Sequence, residues 1–262
     1  MGDVRLDRDR NVRWLTLDAP HRRNALTLGM VAEVVAACQE IDDDPDAGAT
    51  VLRASGPVFC AGADLSVLRR VAQDPAEGEA ADGLSAVYSA FVRVGELRTP
   101  VVAVLAGDAV GAGVNLALAA DLRVMTPEAR LITGFLDLGV HPGGGHFTLM
   151  ARAGGRIAAT ALSLFGEVVD GVRAEELGLA WRCAPAEEVE QIAGEMAHRV
   201  ARRPRLARAM TSSLREQLGP PGVPWSVALE AERARQMVSL RSSAALARRL
   251  WSSEADGHSA QE

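Results

Sequence analysis

Polar and apolar residues alternate through VRLDRD at 4–9 and NVRWLTLDA at 11–19. Separated near Asp9–Arg10, the two stretches predict a β-hairpin with Trp14 and Leu15 near the core. From Leu28 the period lengthens. Met30, Val34, Val35 and Ile41 fall on one helical face, and the run closes in an acidic turn with Pro45. ATVLRAS at 49–55, TPVVAVLAG at 99–107 and DLRVMT at 121–126 read as short strands. The first strand leads through FCAGADL (59–65) and a polar excursion around Gln73–Gly83 to a helix at Leu84–Glu96. The second leads through GDAVGAG into the helix of NLALAA (115–120). Repeated strand, turn and helix units imply parallel pairing through right-handed crossovers, and such units can stack as a spiral. From Ala184 onward nearly everything reads as helix.

Length permits one domain or two, and no shift of composition marks a linker. A hydrophobic fraction of 48% with 24% charged residues belongs to a globular chain and not a disordered one. The polar tail from Ser252 to Glu262 is expected to fray. All 28 basic residues are arginine, so Schiff-base and lysine general-base chemistry are excluded, and any phosphate must be bound by arginine. The net charge of −6 argues against a nucleic-acid partner. Cys38, Cys60 and Cys183 have no disulfide or zinc spacing, and MGDVRLDRD has no apolar signal core, which together suggest a cytoplasmic protein. Between Pro100 and Met125 the chain is apolar, but Gly107, Asp108, Asn115 and Asp121 interrupt it, so no membrane span is expected. No metal-ligand spacing stands out.

The two glycine/alanine turns hold the candidate chemistry. Each ends an apolar run and opens a helix, with Ala63 and Ala112 inside. Small side chains let a carbonyl approach the backbone nitrogens, and the helix N-termini add positive potential. Together with RNAL at 23–26 and HPGGG at 141–145, the turns resemble the enoyl-CoA hydratase/isomerase (crotonase) family over roughly residues 4–205. The resemblance implies an α/β spiral of repeated ββα units at 1–200. It also implies a C-terminal helical region at 201–262 that folds over the site and supports a homotrimer or a dimer of trimers. The implied substrate is an acyl-CoA thioester, with no separate cofactor because coenzyme A is part of the substrate. Its carbonyl oxygen would sit on the N–H groups of Ala63 and Ala112, with Gly111 keeping the second turn open and Gly143 lining the pocket. Ala61, Asp64 and Leu65 would lie beside the adenine end, with Arg22 or Arg23 near the phosphates; both arginines also read as surface charge. The family often places a lysine near the coenzyme A at the C-terminal end, where this chain offers Arg241, Arg248 and Arg249.

Family members that hydrate an enoyl thioester use two glutamates, one as base and one as acid. Register from GAG and from GVHPGGG puts Asn115 and Phe135 at those positions. Neither exchanges a proton at neutral pH. Asp137 and His141 remain as candidate proton carriers, with Asp137 equally readable as a structural carboxylate and His146 as a helix N-terminal group. Two functions stay open: an acyl-CoA hydratase or isomerase that does not use the two-glutamate mechanism, and a non-catalytic acyl-CoA-binding protein on the same fold.

Overall fold

The computed structural model describes residues 2–73, 78–218 and 225–242. Arg248, Arg249 and the tail from Ser252 lie outside the described residues, as do the side chain of Arg241 and part of the polar excursion at 74–77. The chain opens with β1 (Val4–Asp9), β2 (Val12–Leu17), a 3-10 turn (Pro20–Arg22) and α1 (Leu28–Asp43). Three units follow. The first holds β3 (Ala49–Ala54), β4 (Val58–Cys60), α2 (Leu65–Gln73) and α3 (Gly78–Gly95). The second holds β5 (Val101–Leu105), β6 (Asp108–Val110) and α4 (Ala112–Ala119). The third holds β7 (Leu122–Met125), β8 (Arg130–Ile132), α5 (Phe135–Leu138) and α6 (His146–Leu164). Then come β9 (Val169–Asp170), α7 (Gly171–Glu176), β10 (Arg182–Cys183), α8 (Ala186–Ala201), α9 (Pro204–Gln217) and α10 (Trp225–Ser242).

Each unit gives one strand to each of two sheets. The larger has the order β1-β2-β3-β5-β7-β10, parallel except for the β1/β2 hairpin, whose register pairs Val4 with Leu17 and Asp9 with Val12. The smaller has the order β4-β6-β8-β9, with β4, β6 and β8 parallel. This is the expected spiral of ββα units. The short second strand of each unit was not separated from its turn in the sequence, because three residues are too few to display a period of two.

Central strands of the larger sheet are apolar on both faces because both faces are covered. Val101, Ala103 and Leu105 of β5 join the main core, while Val102 and Val104 face Val189, Ala193 and Ala197 of α8. Two local devices steer the chain toward the site. Thr27 caps α1 by accepting a hydrogen bond from the Met30 N–H at 3.1 Å. Asn24 of the RNAL loop, at φ 53°, is fully buried. It accepts from the Ala19 N–H at 2.8 Å and donates to the carbonyls of Ser55 and Val58 at 2.9 and 2.8 Å. Asparagine tolerates this left-handed conformation and satisfies three backbone groups from it. The loop is thereby fastened to the entrance of the first turn.

Two helices start earlier than their sequence pattern suggests. α3 begins at Gly78 and not at Leu84, and α4 begins at Ala112, three residues before Asn115. The second difference matters chemically, because it makes Ala112 the first residue of a helix, where a backbone N–H has no partner within the helix.

Candidate active site

The two turns meet. A Cβ on Gly62, at φ +90°, would lie 2.7 Å from the Val110 carbonyl oxygen and 3.4 Å from the Ala112 nitrogen. A Cβ on Gly113 would strike the Cys60 carbonyl oxygen at 2.3 Å. Only glycine fits at either contact, and the contacts bring Ala63 and Ala112 onto one cavity. Ala63 forms a parallel bridge with Leu26 that passes over its own amide. The bonds run from the Leu26 N–H to the Gly62 carbonyl at 2.8 Å and from the Asp64 N–H to the Leu26 carbonyl at 3.1 Å. Among the described residues, no backbone carbonyl takes the Ala63 or Ala112 N–H.

The cavity measures about 330 Å³. One wall is the pair of turns, with Ala61, Gly62, Ala63, Leu65, Gly111 and Ala112. The other holds Phe135, Asp137, Gly143 and, from α3 and α10, Tyr88 and Gln236; Asn115 also faces the space. Asp137 is the one carboxylate on the lining among the described residues. Phe91 and Val94 of α3 belong to the core.

Phe135 packs edge-on against the His146 ring, with centroids 4.9 Å apart. His146 is fully buried, and burial pushes its pKa down from 6.5 to about 4, so it is neutral at pH 7. Its ring lies between the Asn115 amide, with Nδ1 at 2.7 Å from Oδ1, and the Ser163 hydroxyl, with Nε2 at 2.9 Å from Oγ. Asn115 also donates from Nδ2 to the Gly143 carbonyl at 3.0 Å.

His141, expected beside the reacting atoms, is off the cavity lining. The left-handed Gly139 (φ 63°) reverses the chain after α5, the His141 Nδ1–H donates to the Pro142 carbonyl at 2.6 Å, and the ring packs against Phe147. Arg22 is held in an ion pair by Asp3, whereas Arg23 is exposed and its carbonyl accepts the Ala61 N–H at 3.0 Å, beside the cavity. Asp64 precedes α2, and its carboxylate is occupied locally by the Ser66 N–H at 2.9 Å and the Ser66 hydroxyl at 2.5 Å. Leu65 lies on the lining, 40% exposed.

Sequence reasoning missed the contribution of α10. Gln236 accepts a hydrogen bond from Tyr88, and Glu232, buried, accepts the first backbone N–H groups of α6, from His146 at 2.8 Å and Phe147 at 3.3 Å. Burial also pushes the Tyr88 hydroxyl up from its ordinary pKa, so it stays protonated. One signal was available, since Tyr88 is the chain's single tyrosine. Among the described residues no cluster of metal-ligating side chains occurs, and no helix is long and apolar enough to cross a membrane.

A double ladder of ββα units whose turns converge on one apolar cavity defines a crotonase-type fold. The solved enoyl-CoA hydratase of Bacillus halodurans superposes with a TM-score of 0.85 at 20% identity, covering 96% of this chain and 100% of that one. That of Mycobacterium avium subsp. paratuberculosis gives 0.82 at 24% identity, with 95% and 98% covered. In sequence, residues 7–242 match the enoyl-CoA hydratase/isomerase family, and the chain belongs to that family. Among its relatives, the probable enoyl-CoA hydratase EchA14 of Mycobacterium tuberculosis is 44% identical over 177 residues, 68% of each chain. The 1,2-epoxyphenylacetyl-CoA isomerase of Escherichia coli is 32% identical over 200 residues, 75% of each.

Proposed function

We propose that the protein processes acyl-CoA thioesters by proton transfer next to the thioester carbonyl, with double-bond isomerisation as the reaction the site supports best. The observation that supports it is that Ala63 and Ala112, whose N–H groups meet no backbone carbonyl among the described residues, line one cavity whose one described carboxylate is Asp137. Asp137 removes a proton from the acyl group. The negative charge that reaches the thioester oxygen is held by the two N–H donors, each worth about 3–4 kcal/mol by analogy with other oxyanion holes. Return of the same proton to a different carbon moves the double bond, so one carboxylate suffices where hydration needs two acid/base groups. Arg23 reaches toward the coenzyme A phosphates. The same reading carries assembly as a homotrimer or a dimer of trimers, which light scattering tests.

A second reading, an acyl-CoA carrier without turnover, is favoured by Asn115 and Phe135, which stand at the two positions where acid/base groups were expected. Incubation with saturated and unsaturated acyl-CoAs in deuterated water separates the two. The enzyme reading expects a shifted double bond or deuterium beside the thioester carbonyl, both lost in Asp137→Asn. Tight binding with neither in the wild type establishes the carrier, and failure to bind any acyl-CoA overturns both.

A further inference from the structure

A second groove opens at the C-terminal end of α4, between the start of β7, α6 and the last turn of α9. It measures about 840 Å³ and shares no lining residue with the candidate active site. Arg123 of β7 lines it while only 5% exposed. Its Nε–H donates to the Leu179 carbonyl, and its Nη1–H donates to the Ala120 carbonyl at 2.8 Å, at the C-cap of α4. A guanidinium has five hydrogens on three nitrogens. Nη2 has no acceptor among the described residues and is not sealed in, so its two hydrogens face the groove.

A buried charge ordinarily has a partner of opposite sign. Burial pulls the Arg123 pKa down to about 10, which leaves it a cation at pH 7, and the carboxylate that acts on it is Asp121. Asp121 is already engaged. Arg215 Nη2 donates to its two oxygens at 3.1 and 3.0 Å, and the Val101 N–H donates to it at 2.7 Å. The walls around the Arg123 cation are apolar, with Leu118 and Leu149 buried and Leu214 and Leu218 exposed. Glu96 and Glu216 stand against one cation, Arg152, among the exposed lining residues. Two carboxylates to one guanidinium repel a doubly charged ligand more than a singly charged one.

We propose that this groove is a binding site for an amphipathic monocarboxylate, with the carboxylate on Arg123 and the hydrocarbon body along Leu118, Leu149, Leu214 and Leu218. Charge complementarity fixes the head group: a carboxylate accepts from Nη2 and supplies the single negative charge that the buried guanidinium lacks. The exposed leucines fix the body, since a chain laid over them removes apolar surface from water. The eight residues of α4 separate this groove from Ala112 by about 12 Å along the helix axis. The proposal does not depend on the acyl-CoA reading.

Calorimetry on the full chain with octanoate, 1-octanol and acetate separates head from body. Octanoate is expected to bind about tenfold more tightly than octanol, the size of one charged hydrogen bond, and about a hundredfold more tightly than acetate. Arg123→Gln should abolish the preference for octanoate over octanol. Because that substitution also disturbs the cap of α4, Leu214→Asp serves as the second variant: it places a carboxylate on an exposed wall and should weaken octanoate about tenfold. Butyryl-CoA at saturation should leave octanoate binding unchanged. Displacement by butyryl-CoA would put the carboxylate in the other cavity and overturn the proposal. So would octanol binding as tightly as octanoate, or unchanged octanoate affinity in either folded variant. No octanoate binding to the wild type also overturns it; if Leu214→Asp then dissociates an oligomer in light scattering, the groove belongs to a second copy of the chain.

Discussion

Two walls enclose one cavity, and they are built by different means. The wall from 59–65 and 107–115 is backbone: two turns pressed together at Gly62 and Gly113 and anchored by the short strands β4 and β6. Its groups point where the chain geometry sends them and have no rotamers to choose. The opposite wall, from Phe135 to His146 with Tyr88 and α10, is made of side chains whose positions depend on partners far away in sequence, such as Ser163, Glu232 and Gln236. A backbone wall can keep its chemistry while neighbouring side chains change, whereas a side-chain wall can be rewritten by single substitutions. The latter is the wall on which Phe135 stands where an acid/base group was expected.

The strongest break strikes the backbone wall. Gly62→Val combines a φ of +90° with a 2.7 Å approach to the Val110 carbonyl, and is expected to cost about 3–5 kcal/mol in urea unfolding, with loss of acyl-CoA binding. Next is the buried ring of the opposite wall. Folded His146 stays neutral down to about pH 4, while the unfolded chain protonates it near 6.5. Between these values the unfolded state holds the extra proton. Its contribution, about 3 kcal/mol, is therefore complete above 6.5 and lost as the pH falls toward 4. Urea midpoints across that range should fall accordingly, and His146→Gln should flatten the slope. Asp137→Asn should lower deuterium exchange about a hundredfold, about 2.7 kcal/mol of barrier, as an effect on chemistry and not on stability.

Glu232→Gln weakens the charged cap on α6, with an expected loss of about 1–2 kcal/mol visible in Tm. If Tm does not move, α10 is not a support of that wall. The smallest effect is at the mouth. Arg23→Ala should raise KM for coenzyme A thioesters about threefold, less at high salt, whereas Arg22→Ala, removing a partner of Asp3, should leave KM unchanged.

The same division explains what was legible in the sequence. The hairpin, α1 and the central strands follow local periodicity, and the turns announce themselves through glycines that only close backbone contact explains. Asn115 and Phe135 could be placed because they sit at short fixed distances from such glycines. His141 was misplaced by the same logic, since one left-handed glycine and its own Pro142 carbonyl decide where its ring goes. Ser163 and Glu232 carry no local mark. Their partners lie 17 and 86 residues away, and no pattern in the chain pairs them. The early start of α4 escaped notice because GAG reads as a breaker, although at the first turn of a helix glycine's cost is offset by the close packing on Cys60.

Cys60 lies directly beneath the two turns, fully buried, with its thiol pushed up to about 12. A thioester is an acylating agent, and proteins that hold one risk transferring the acyl group onto themselves. The Cys60 sulfur is a protonated thiol shut away from the cavity, and the basic side chains of the sequence, apart from histidine, are all guanidinium groups, which do not attack carbonyl carbon at neutral pH. With no lysine anywhere in the sequence, the thioester of the proposed reaction would find no side-chain amine on its host to acylate.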